Sequence, residues 1–211
     1  MPGVTVFDKH VNEYEQWFVK NPHAYISELH AVRELLPPGG KGFEIGAGTG
    51  RFAAPLGIAM GIEPSPAMAE LAGKRGIEVV KAVAEKLPFK DNEFDFALMV
   101  TTICFLDDLD LAFGEVRRVL KPGGSFIIGF VDKNSPLGKF YQSRQGKSVF
   151  YKDATFYSVD DILSHLKKAA FADAAFRQTI FRPLGEIEDA EPVKEGYGEG
   201  SFVVVRGVKK P

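Results

Sequence analysis

Phe43-Glu44-Ile45-Gly46-Ala47-Gly48-Thr49-Gly50 joins a short apolar run to three glycines at alternate positions. Gly42 to Ile45 has the length and composition of a buried strand, and the glycines after it make a sharp turn. Glycine also lets a ligand approach the backbone with no side chain in the way. The next apolar run, Ile58 to Ile62, stops at Glu63-Pro64-Ser65, so a second strand ends on an acid 19 residues beyond Glu44. A carboxylate there can accept two hydrogen bonds from a ribose diol, as an acid about 20 residues on does in nucleotide-binding folds. Taken singly, the glycines suit any strand-to-helix turn and Glu63 suits a solvated strand end. Their register relative to one another points to a ligand.

The glycine spacing separates two ligand classes. Nicotinamide sites favour Gly-x-Gly-x-x-Gly, with a pyrophosphate on the helix N-terminus. Here the third glycine falls one position early, at Gly50, and Arg51 stands where the pattern wants it. A ligand with ribose and adenine but no phosphate fits better.

Working outward, a short helix is predicted from Arg51, limited by Pro55 and Gly57, and Ser65-Pro66 supplies an N-cap and first-turn proline for a helix through about Lys74. Strands are predicted at Ile77–Lys81, Asp95–Thr101 and Ser125–Phe130, the last following Lys121-Pro122-Gly123-Gly124, with a helix at Leu109–Leu120 between the second and third. Strands separated by single helices imply parallel pairing with right-handed crossovers. Before the glycine turn, Phe7 to Leu36 carries aromatic and aliphatic residues at three- and four-residue spacings and reads as one or two amphipathic helices. Asp132 to Tyr157 departs from the alternation and is rich in Gly, Ser and aromatics. Ser158 then caps a helix from Val159 to Ala170, and the runs Ala174–Phe181 and Ser201–Val208 suit an antiparallel hairpin at the sheet edge.

Composition narrows the partners. The chain has 211 residues, 45% hydrophobic and 26% charged, which suits one domain over 1–211, with a helical lid at 1–40 and an insertion at 132–157. A net charge of -2, with acids and bases interspersed, offers no sustained positive field for nucleic acid or anionic lipid. No stretch has a secretory pattern or the roughly 18 apolar residues of a membrane span. With a single cysteine, Cys104, these features predict a cytoplasmic protein without disulfides. His10, His23, His30 and His165 form no metal-ligand pattern, so no metal is expected.

Five blocks now stand in order: Glu44 through Gly50, Glu63-Pro64-Ser65, Ala84-Glu85-Lys86-Leu87-Pro88-Phe89, Phe94-Asp95-Phe96 and Arg118-Val119-Leu120-Lys121-Pro122-Gly123-Gly124. In this order the chain resembles the class I S-adenosylmethionine-dependent methyltransferases, in the small-molecule branch that includes the ubiquinone/menaquinone-type enzymes. The resemblance implies an α/β, Rossmann-like sandwich whose mostly parallel sheet has seven strands, the last one antiparallel. It implies S-adenosylmethionine as cofactor. By position it assigns Glu44 and the backbone around Gly46 and Gly48 to the methionine moiety, Glu63 to the ribose, and Pro64 and Ser65 to the adenosine, with Ala47 and Gly50 also counted among the cofactor-binding residues. Ala84 and Glu85 would border the adenine, and Thr101 and Thr102 would sit near the sulfonium. Where many relatives carry Asp for the adenine amino group this chain has Val83, and around Thr102-Ile103-Cys104-Phe105 it lacks their histidines.

The resemblance implies transfer of a methyl group to a small-molecule acceptor, with nitrogen, oxygen and carbon nucleophiles all open and a small amine among them. An amine must shed a proton, and the candidates to assist are Tyr14, Thr102, Asp132 and Tyr141. Cys104 reads as a small buried apolar residue. Two other functions remain open on the residues: an adenosine-ligand-binding protein without turnover, and a nicotinamide-dependent oxidoreductase.

Overall fold

A computed structural model describes residues 2–210, with side chains from Thr5 onward. Three helices come first: α1 (Pro2–Lys9), α2 (Val11–Lys20) and α3 (Pro22–Leu35). The sequence predicted one or two. The second break falls at Asn21, because a residue before proline is disfavoured in the α region and Pro22 then serves as a ready-made first turn.

Five strands follow in parallel, β1 (Gly42–Ile45), β2 (Met60–Ile62), β3 (Glu78–Val80), β4 (Phe94–Val100) and β5 (Leu120–Val131), with α4 (Pro66–Lys74) and α5 (Leu109–Val119) among the crossovers. The helix predicted from Arg51 is replaced by irregular turns over residues 51–57. Ala54 and Leu56 donate to carbonyls four residues back, but Pro55 between them has no N–H, so the ladder cannot become regular. β5 starts earlier than predicted and runs through Lys121-Pro122-Gly123-Gly124. Its pairing with β4 jumps from Phe94↔Leu120 to Phe96↔Ser125, and the extra residues bulge out.

The segment read as irregular holds a helix, α6 (Pro136–Ser143), whose N-cap Ser135 accepts from the Gly138 N–H at 3.0 Å. Ser135-Pro136 is the same start signal as Ser65-Pro66. After α7 (Val159–Lys168), closed by a Ser158/Asp161 capping box, come β6 (Phe171–Thr179), β7 (Lys194–Glu195) and β8 (Phe202–Lys209). The sheet order is β3-β2-β1-β4-β5-β8-β6-β7. The last strand is antiparallel, as the resemblance implied, but β8 inserts between β5 and β6 instead of lying at the edge, and two-residue β7 adds an eighth strand.

Both faces of the sheet are covered. Ala97 and Met99 of β4 pack with Phe43, Phe113 and Phe126 on the α5/α7 side, while Phe96, Leu98 and Val100 pack with α3 and Ala72 of α4 on the other. That period-two alternation with burial on both sides explains why the strands read as unbroken apolar runs. Each fully buried phenylalanine, such as Phe43 or Phe94, contributes about 1.5–3 kcal/mol. The carboxyl ends of β1, β2 and β4 therefore sit on a rigid base.

Candidate functional site

The chain leaves β1 through Gly46 and Gly48, at φ +66° and +54°. A side chain at Gly46 would place its Cβ 2.5 Å from Thr102, and one at Gly48 would stand 3.1 Å from the Tyr14 hydroxyl. Bare backbone is thus required on two counts, handedness and space. Gly50 packs on Ala72 of α4 instead.

Glu63, 7% exposed, closes β2 and ties the bend to it. One carboxylate oxygen accepts from the Gly48 N–H at 2.9 Å and the other from the Ser65 N–H at 2.8 Å. Burial raises its pKa, opposed by these two backbone donors. Glu44 is buried more deeply, at 2% exposed, and accepts from the Ala53 N–H at 2.9 Å. Burial holds its pKa well above the usual carboxylate range. Its carboxylate braces the irregular turns behind the glycine bend.

In front of the bend lies a cavity of about 250 Å³. Its charged lining is entirely acidic: Glu13, Glu63, Glu85 and Asp107, with no Lys, Arg or His among the described residues. Glu85 uses one oxygen to accept from the Asp107 and Asp108 N–H groups, at 2.9 and 3.3 Å. Its other oxygen is buried with no partner among the described residues, an acceptor awaiting a donor.

The cavity is roofed by aromatics. Phe7 stacks on Phe150 with centroids 5.4 Å apart and meets Phe105 edge-on at 5.0 Å. Tyr151 lies parallel to Phe105 at 5.8 Å and to Tyr141 at 5.2 Å. Polar ties fasten the roof. Asp8 accepts from the Ser65 hydroxyl at 2.5 Å and the Ala67 N–H at 3.2 Å. Glu15 accepts from Thr49, Arg51 and Arg75, joining α2 to the glycine bend and to the residue after α4. Its pKa is lowered, the three donors outweighing burial.

Of the residues singled out from sequence, Gly46, Gly48, Glu63, Pro64, Ala84, Glu85 and Thr101 line the cavity, together with Tyr14 and Thr102. Ala47, Gly50, Glu44 and Ser65 do not; Ser65 caps α4 by accepting from Met68. Thr101 has φ +50°, an uncommon conformation for a threonine, at the end of β4 where the chain turns along the cavity. The Thr102 hydroxyl donates to the Val100 carbonyl at 3.0 Å, so it is engaged with backbone. Burial, aided by the charges of Glu44 and Glu63, raises the Tyr14 phenol above its ordinary value and keeps it protonated.

Two candidates lie elsewhere. Asp132 lies off the cavity and forms the turn before α6, accepting from the Asn134 N–H at 3.0 Å while its carbonyl accepts from Ser135. It was picked for following a strand end, but the chain turns away there. Tyr141 sits behind Tyr151, and burial pushes its pKa up to about 12. Cys104 is a free thiol outside the cavity lining, pushed up to about 12 by burial. Sequence reasoning missed Glu13 and Asp107: one is a polar residue of an amphipathic helix and the other a loop acid, with no local pattern to mark either. Among the described residues no cluster of His, Cys, Asp and Glu has a metal-holding arrangement.

Comparison with known proteins places this geometry. Residues 43–128 match a family model described as a methyltransferase domain. An uncharacterised protein of Methanocaldococcus jannaschii is 46% identical over 206 residues, covering 98% of this chain and all of that one. The ubiquinone/menaquinone biosynthesis C-methyltransferase of Brucella abortus is 30% identical over 69% of this chain and 65% of its own length. A Thermotoga maritima crystal structure superposes with a TM-score of 0.96 and 55% identity, covering 98% of this chain and 99% of that one. That protein is described as an S-adenosylmethionine-dependent methyltransferase and possible histamine N-methyltransferase.

Proposed function

The chain belongs to the class I S-adenosylmethionine-dependent methyltransferases, and from that membership we propose that it methylates the nitrogen of a small amine. The single observation that carries the amine is the charge left once the cofactor has taken Glu63 and Glu85: the remaining charged lining, Glu13 and Asp107, is acidic too, with no cation among the described lining residues. Such a lining attracts cations and repels carboxylates and phosphates. The description of the Thermotoga relative as a possible histamine N-methyltransferase supports the same reading.

The cavity fits the cofactor on its own terms. A pyrophosphate would find no cation among the described lining residues, which disfavours a nicotinamide cofactor. A phosphate-free adenosyl compound bearing a positive charge meets bare backbone at Gly46 and Gly48 and a fixed carboxylate at Glu63. We assign the methionine moiety to the Gly46 and Gly48 backbone, the ribose diol to Glu63 and the adenosine to Pro64. The unpartnered oxygen of Glu85, beside Ala84, is the acceptor for the adenine amino group, a role that Val83 cannot fill. Glu44, Ala47, Gly50 and Ser65 support these residues without lining the cavity.

When bound, S-adenosylmethionine supplies an electrophilic methyl on a sulfonium whose leaving group departs neutral. The protein's part is therefore alignment and the exclusion of water, effects worth up to about 7–11 kcal/mol. Residues 1–40 act as a lid, with Phe7, Tyr14 and Trp17 over the cavity and Asp8 and Glu15 as its latches. The 132–157 segment adds Phe150 and Tyr151 as an acceptor-side wall. Tyr14, held protonated, orients the acceptor by hydrogen bonding; Thr101 and Thr102 line the floor near the reacting methyl.

No helix among the described residues is long and apolar enough to cross a membrane. The single free thiol supports a reducing cytoplasmic setting. The test is incubation with methyl-labelled cofactor and a panel of small amines, phenols, quinols and carboxylates. Label in one or more amines and none in the carboxylates is expected; label confined to phenols or quinols refutes the amine, and label nowhere favours a binding protein without turnover.

A further inference from the structure

The four carboxylates that line the cavity divide by where they stand. Glu63 closes β2 with both oxygens on backbone N–H groups, and Glu85 accepts from the Asp107 N–H at 2.9 Å, which keeps Asp107 with it at the adenine end. Glu13 comes instead from the roof, on α2. Its carboxylate accepts from His10 Nδ1 at 3.0 Å, and the His10 ring meets Phe150 edge-on with centroids 6.3 Å apart. Phe150 belongs to the acceptor-side wall assigned above. Glu13 therefore stands at the acceptor end and, with its side chain 59% exposed, at the rim.

Two features suit this rim to a cation that stays charged. Trp17 follows Glu13 by one helical turn on α2 and also lines the cavity, so a carboxylate and an indole stand on neighbouring positions, with Cβ atoms about 5–6 Å apart. An ammonium between them meets a negative charge and the ring's negative face. The hydrogen bond from His10 holds the Glu13 carboxyl below the usual carboxylate range, so it is ionised at neutral pH and a poor base. Among the described lining residues there is no histidine, Tyr14 stays protonated, and the Thr102 hydroxyl is engaged with the Val100 carbonyl. An ammonium seated at Glu13 thus keeps its proton, and a protonated nitrogen has no lone pair to give to a methyl group.

We propose that Glu13, with Trp17, anchors the acceptor: it holds a cationic ammonium at the rim, while a second, uncharged nitrogen of the same molecule faces the methyl on the floor beside Thr101 and Thr102. This rests on the amine reading and deepens it, naming the acceptor class as a small compound with two nitrogens, one charged at neutral pH and the other nucleophilic. Glu13 selects and orients the acceptor and takes no part in bond making.

The test uses the whole chain saturated with S-adenosylhomocysteine and calorimetric titration with pairs that differ in charge: 2-phenylethylamine against 2-phenylethanol, and 2-(imidazol-4-yl)ethylamine and 2-(pyridin-4-yl)ethylamine against their alcohols. At least one amine is expected to bind about fivefold or more tightly than its alcohol, with Glu13→Gln cutting that ratio about threefold or more, the scale of an exposed carboxylate's pull on a cation. Glu13→Lys reverses the charge at a surface position where folding is little affected, and should bring the ratio to about one or below. With methyl-labelled cofactor, label is expected in a two-nitrogen amine and not in 2-phenylethylamine. The proposal is overturned if both variants keep the wild-type ratio, or if 2-phenylethylamine is labelled as fast as the two-nitrogen probes. Wild type that binds amines and alcohols alike strikes the amine reading as well, and failure of S-adenosylhomocysteine itself to bind strikes the methyltransferase reading instead.

Discussion

Replacing Glu28 by Gln should make the protein more stable, by an amount that grows with pH. Burial lifts this carboxyl from 4.5 to about 8. Between those values the folded protein holds a proton that the unfolded chain has released, so native stability falls as pH rises through the window. Below pH 4.5 both states are protonated, and above 8 both are ionised with the whole penalty incurred. Each pH unit inside the window is worth about 1.4 kcal/mol. Glutamine does not titrate, so the variant's advantage over wild type should grow by about 3 kcal/mol between pH 6 and pH 9. Groups common to both proteins cancel in that difference. Urea unfolding of both proteins at the two pH values, followed by circular dichroism, measures it. An advantage that stays constant within about 1 kcal/mol, or shrinks with pH, would refute the view of Glu28 as a buried carboxyl without a partner.

Glu63→Ala should weaken S-adenosylhomocysteine binding by about 1.5–3 kcal/mol in calorimetry, because it removes charge-assisted bonds to the sugar and leaves the Gly48 and Ser65 N–H groups without their acceptor. An unchanged affinity removes the ribose assignment. Wild type should prefer S-adenosylhomocysteine to its inosine counterpart, which lacks the adenine amino group, by about tenfold or more, and Glu85→Ala should erase that preference, since the unpartnered oxygen is the acceptor for it. Persistence of the preference in the variant shifts adenine recognition to the backbone. Gly46→Ala forces a Cβ to 2.5 Å from Thr102 at φ +66° and should cost about 1–3 kcal/mol, read as a lower Tm together with weaker cofactor binding.

Much of the fold was legible before any coordinates. Strand β1, the glycine bend and acid-terminated β2 announced themselves because a doubly covered parallel strand must be apolar throughout, and a ligand-cradling turn needs bare backbone. Ser65-Pro66 and Ser158 marked two helix starts because a side-chain cap is a local interaction between residues three apart. Local signals also misled: Pro122-Gly123-Gly124 looked like the end of an element but bulges within β5, and Asp132 followed a strand end but turned into the start of α6. The sequence by itself determined the parallel core, the phosphate-free cradle and the carboxylate that closes it, all set by periodicity and backbone sterics within about 20 residues. Only the tertiary structure decided that β8 slips between β5 and β6, that Glu85 keeps one oxygen free, and that Glu28 is buried on α3 without a partner among the described residues. Those facts depend on which distant groups come together in low dielectric. An acid on one helix face looks the same in sequence whether its neighbour in space is water, an arginine or an apolar interior.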